Sequence, residues 1–208
     1  MSARTGTGAP TRASARTFAC VGVALLCVAG GAAAHVEGEG TAGGFVSGLL
    51  HPLLGPDHLV AMVAVGLWGA FLGRPAIWLL PVVFPTVMAI GGALGIAGVA
   101  LPGVEIGIAA SGLLLGLAVA LGWAAPLGVA AALAGAFAIF HGHAHGTELP
   151  EAATPLAYAA GFVLCTGALH LAGIAFGELR RVPRGDWLVR GAGAVIALVG
   201  AAFLVRAL

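Results

Sequence analysis

The sequence contains no lysine: all nine basic residues are arginines. A Walker-type phosphate loop needs its lysine, and so does Schiff-base chemistry. An ATPase carried on this chain is thereby excluded. Charge of either sign is scarce, at 8% of residues, against roughly 25% in an average soluble domain. The net charge of +1 leaves no basic footprint for nucleic acid. Cysteine is nearly absent as well. Cys20 and Cys27 lie in the N-terminal apolar stretch, and only Cys165 follows. A thiolate-rich metal site is excluded, and so is an internal disulfide in the chain beyond that stretch.

What the sequence does have is apolar surface. Hydrophobic residues make up 60% of the chain, and the mean hydropathy is +1.07. Such a chain cannot be solvated as a globule, so a bilayer protein is implied. The 35 glycines sit within apolar runs, as they do where membrane helices pack closely.

Arg4, Arg12 and Arg16 precede the apolar stretch from Phe18 to Ala29, and Ala32-Ala33-Ala34 follows. A positive segment, a short apolar run and small residues read as a secretory signal over residues 1–34. The alternative is an uncleaved anchor. Residues 35–208 are then expected to form one membrane domain. Its apolar segments are Phe45–Leu72, Ala76–Gly98, Val104–Trp123, Pro126–His145, Pro155–Gly177 and Trp187–Leu208. Each approaches or exceeds the roughly 20 residues that a helix needs to cross the hydrocarbon core. The expected fold is therefore an all-α polytopic membrane helix bundle with six transmembrane helices. Arg74, Arg180, Arg181 and Arg184 fall in the first and fifth connectors, whereas Glu105, Glu148 and Glu151 fall in the second and fourth. By the positive-inside rule both termini of the mature domain face the periplasm, and the four tryptophans fall near cytoplasmic ends. Arg206 is the one discordant charge.

Seven histidines in so apolar a chain need a reason, because ionisable groups within a membrane are costly. His51-Pro52-Leu53-Leu54-Gly55-Pro56-Asp57-His58 holds the first cluster. On a straight helix His51 and His58 would stand ~10.5 Å apart, too far for one ion. Pro52, Gly55 and Pro56 between them predict a kink or a partly unwound segment, as at membrane substrate sites. In the second cluster His141 and His145 share a helical face, with Glu148 three residues on, while His143 points elsewhere. His170 lies alone in an apolar run. His35, beside Glu37 and Glu39, would begin the mature chain, where an amine and an imidazole can bind a divalent cation. Each has a structural alternative: carbonyl satisfaction at a kink, a polar loop, a packing histidine or a frayed tail.

The run from His51 to Trp68, with Gly55, Asp57, His58, Ala61, Met62 and Gly66, resembles the signature of the HupE/UreJ family of nickel/cobalt permeases. Phe140-His141-Gly142-x-Ala144-His145-Gly146-x-Glu148 is similar to its second signature, and Thr166–His170 to its fifth-span motif. The resemblance implies a multi-pass protein of the bacterial inner membrane that moves Ni²⁺, or Co²⁺, into the cytoplasm. It also implies roles for His51, Asp57, His58, His141, His145 and Glu148. His143 occupies a variable position of the pattern. No enzyme activity and no prosthetic group are expected. The partners are a divalent transition-metal ion and the lipid bilayer, and a homo-oligomer stays open. The alternative is a membrane electron-transfer subunit whose histidines ligate b-type haem. Asp57 argues against it, since a carboxylate beside an axial histidine serves a dication and not haem.

Straight-helix depths place His58 about 20 Å and His170 about 22 Å below the first residues of their segments. His51 lies about 9 Å down. The expectation is therefore two sites in series. The outer one joins His51, His141, His145 and Glu148, and the inner one joins Asp57, His58 and His170.

Overall fold

The computed structural model describes residues 41–148 and 154–208. The expected signal segment 1–34 and His35 lie outside the described residues. Among the described residues all regular structure is helical: α1 (Thr41–Leu54), α2 (Pro56–Leu72), α3 (Ala76–Ile96), α4 (Val104–Ala120), α5 (Leu127–Thr147), α6 (Pro155–Gly177) and α7 (Gly185–Ala207), with a 3₁₀ turn at Glu178–Arg181.

Helices α3, α5 and α7, and α6 with its 3₁₀ extension, are long and apolar enough to cross a membrane. The expected first span is instead a bent pair: α1 and α2 meet at 82° across Gly55. The expected third span becomes a helix of only 17 residues, about 26 Å long, shorter than the ~30 Å hydrocarbon core. Among the described residues, length and composition thus give four spans, or five counting the bent pair, and leave the expected six unconfirmed. The bundle is nonetheless a polytopic membrane protein in its surface. Val82, Ile90, Leu164, Leu171, Val195 and Leu198 are all more than half exposed, a contiguous apolar exterior that only lipid or a partner can cover.

The break between α1 and α2 follows from local chemistry. Pro52 closes the last turn of α1, and Gly55 is extended at φ −93°, ψ 101°. Pro56 then opens α2, where its missing N–H would be unpaired in any case. Asp57 follows in the first turn, where a carboxylate suits the positive end of the helix.

Four close pairings hold the bundle: α3 with α5, α4 with α7, α6 with α1, and α6 with α2. Glycine makes the α3–α5 approach possible. A Cβ on Gly142 would run into the Met88 carbonyl, and one on Gly146 into the Gly92 carbonyl. The same holds where Gly66 of α2 meets the His170 carbonyl of α6. Without a water-driven force between helices in lipid, such backbone contact is the main source of association. The core gathers Met62, Leu67, Trp68, Leu80, Phe84, Leu115 and Val119. Trp68 belongs to this core. It is fully buried, stacks on Trp123 at 5.7 Å, and donates its indole N–H to the Trp123 carbonyl at 3.1 Å. The carbonyl supplies the polar partner that the headgroup region would otherwise supply.

Candidate metal centre

The bend at Gly55 sets the geometry of the histidines. The His51 and His145 rings lie 4.8 Å apart between centroids, and the His145 and His58 rings 4.5 Å. Two residues seven apart in sequence thus flank the same imidazole. His58 also meets His141 at 4.8 Å. The four rings form a continuous row in the order His51, His145, His58, His141. Helix α5 contributes its two members because i and i+4 share a face. His51 approaches Glu148 at 3.4 Å between Nε2 and Oε2. Ligand atoms of His51, His145 and Glu148 all lie within 4.8 Å of one another, a group able to close on one ion.

Hydrogen bonds decide which ring nitrogens are free. Asp57 Oδ1 accepts the backbone N–H of His58 at 2.9 Å and faces its Nδ1 at 3.0 Å. A carboxylate there holds the proton on Nδ1 and leaves Nε2 as the lone-pair nitrogen. Nε2 of His58 is buried with no hydrogen-bond partner among the described residues. His141 is arranged in the opposite sense. Ser111 donates its hydroxyl proton to the Ile108 carbonyl at 2.6 Å, so its oxygen accepts from His141 Nε2–H at 2.8 Å. The lone pair then resides on Nδ1 of His141, which is also buried and unpaired. Both nitrogens of His145 are buried without partners. Three adjacent imidazoles thus present basic nitrogens that nothing in the described protein satisfies. Unpaired buried polar groups cost roughly 1–3 kcal/mol each. A soft-to-borderline dication, for which imidazole is a favoured ligand, would satisfy them.

Of the expected inner trio, Asp57 and His58 are paired, and His58 also lies against the two α5 histidines. His170 is fully buried with both nitrogens unpaired. Its aromatic neighbour is Phe84, at 5.6 Å, and Phe84 in turn lies 5.5 Å from His141. An apolar ring thus stands next to both the row and His170. His143 is turned away from the row, as its position on α5 predicts. Its Nε2 donates to the Val99 carbonyl at 2.7 Å.

Sequence reasoning missed Ser111, Phe84 and Glu105. Ser111 was visible in principle as the one hydroxyl residue of α4. Phe84 had no signal among apolar neighbours. Glu105 was read only as a connector charge. It lines a cavity of about 390 Å³ together with Asp57, His58, Thr147, Glu148 and Arg206. Through Asp57 and His58 this cavity abuts the imidazole row, giving it a polar approach.

A helical bundle in lipid, with an ionisable row inside it and a polar cavity leading there, defines a membrane protein of transporter type. The match to known sequences narrows this to one family. The HupE / UreJ protein family matches residues 23–203. The chain is 48% identical to Protein HupE of Rhizobium leguminosarum bv. viciae over 172 residues, which cover 83% of this chain and 90% of that one. The chain belongs to the HupE/UreJ family, a transporter-type family related to nickel and cobalt transport. No solved structure matches it. The haem alternative gains no support from this membership. Nor does the geometry favour it, since the imidazoles touch one another and leave no gap for a macrocycle between two axial rings.

Proposed function

We propose that this protein is a permease or channel of the bacterial inner membrane that passes Ni²⁺, or Co²⁺, into the cytoplasm along the imidazole row. The observation that carries the proposal is the convergence of His51 and His58 on His145, with Glu148 beside them. In this reading an ion enters through the acidic cavity past Glu148 and exchanges water for protein ligands along the row. The stations are His51 and His145 with the Glu148 carboxylate, and Nε2 of His58 with Nδ1 of His141. Asp57 acts behind His58: it orients the ring and adds the negative charge that a partly dehydrated dication requires. Several weak stations in series allow entry without trapping. His170, beyond Phe84, is the last candidate station. The mature termini face the periplasm, in keeping with the arginine connectors. The membrane potential suffices as driving force. A dication gains about 4.6 kcal/mol per 100 mV, worth roughly a thousandfold accumulation.

The test is uptake of radiolabelled Ni²⁺ and Co²⁺ by cells expressing this single gene, with His145→Ala as the control. Uptake by the wild type, lost in His145→Ala at equal membrane abundance, supports the proposal. Equal uptake by cells with and without the gene would overturn it.

A further inference from the structure

Arg206 breaks the positive-inside pattern, and the fold gives it a place. It lines the 390 Å³ cavity that also holds Asp57, Glu105 and Glu148. Its guanidinium lies over the Phe203 ring, 5.7 Å from the centroid, on α7. This is the cavity through which His58 is reached. Resting on the transport reading above, we propose that Arg206 sets how strongly the entrance holds dications. It is a tethered cation that weakens capture of any dication by charge alone.

The physical case starts from the three carboxylates. Carboxylate oxygens bind hard cations such as Mg²⁺ and Ca²⁺ as readily as transition metals. An entrance of that kind with no opposing charge would fill with the most abundant dication. The guanidinium is a fixed cation on the cavity wall, so its opposition is constant. Its repulsion acts equally on every ion of the same charge. What differs is the compensation further in. Nickel and cobalt recover the loss by binding imidazole nitrogen, whereas Mg²⁺ dehydrates reluctantly and prefers oxygen. A uniform penalty leaves the ratio between ions unchanged, but it keeps the mouth from saturating with the abundant dication, so that the selective gain inside decides which ion passes. The same repulsion speeds departure from the mouth towards the row.

The experiment compares wild type, Arg206→Gln and Arg206→Lys in proteoliposomes, at low and high ionic strength. It measures half-saturation by Ni²⁺ and inhibition of that uptake by Mg²⁺. Arg206→Gln should lower the half-saturating Ni²⁺ concentration by about three- to tenfold at low ionic strength. It should also make Mg²⁺ a stronger inhibitor by a similar factor, and both effects should shrink as salt screens the entrance. Arg206→Lys should behave as the wild type, which separates charge from a merely structural role of the side chain. Unchanged half-saturation and Mg²⁺ inhibition in Arg206→Gln would overturn the inference, as would Arg206→Lys behaving like Arg206→Gln. A wild type that moves neither Ni²⁺ nor Co²⁺ would instead overturn the transport reading beneath it.

Discussion

Asp57 and Ser111 do the same job for two different imidazoles, and they do it with opposite results. Asp57 leaves Nε2 of His58 free, and Ser111 leaves Nδ1 of His141 free. Partners of this kind typically contribute 10–100-fold in metal affinity. Ser111→Ala should therefore weaken Ni²⁺ half-saturation by about tenfold while the protein inserts normally. Asp57→Asn keeps an oxygen that can accept from Nδ1 but removes the charge. It should abolish uptake at normal abundance, and wild-type uptake by a well-expressed variant would sink the role assigned to Asp57. His143→Ala, by contrast, loses the bond to the Val99 carbonyl and one side chain of the cavity wall, but no member of the imidazole row. Its expected cost is about 1 kcal/mol of stability, seen as a small fall in melting temperature with uptake nearly intact.

At the scale of the element, the break at Gly55 is the feature on which the row depends. A Cβ there would come within 3.2 Å of both Asp57 Oδ1 and His58 Nδ1. The backbone angles suit alanine, so Gly55→Ala should fold. It should nevertheless displace the Asp57–His58 pair and reduce uptake severalfold, measurable beside an unchanged melting temperature. The α3–α5 seam answers differently. Gly142→Val would drive its side chain into the Met88 carbonyl. Overpacking of that kind costs about 1–3 kcal/mol or more, so a lower melting temperature and lower membrane abundance are expected. Since Gly142 follows His141 directly, a stable Gly142→Val protein with full uptake would show that the row tolerates movement of α5.

At the scale of the whole molecule, the driving force and the orientation are linked. If the potential drives uptake, collapsing it with valinomycin and external K⁺ should cut accumulated Ni²⁺ steeply. The dependence should follow two charges, roughly a thousandfold per 100 mV at equilibrium. Uptake that ignores the potential but follows a pH gradient would replace the uniport mechanism with proton coupling. Periplasmic termini should show in reporter fusions to residue 208, active only for a reporter that works outside the cytoplasm.

Composition alone determined that this chain lives in lipid, because no water-facing surface can be made from 8% charged residues. The spacing of His141, His145 and Glu148 determined that they share a face, since helical periodicity is local. The Pro52-Gly55-Pro56 pattern likewise determined that a break would fall between His51 and His58. The angle of the break was not legible, and on it everything else turned. An 82° bend at Gly55 separates His51 from His58, and both meet the same His145 ring. Depth counted along straight helices takes no account of such a bend. The tautomers are of the same kind. Which nitrogen of His141 is free depends on Ser111, thirty residues away on α4, and only the packed bundle brings the two together.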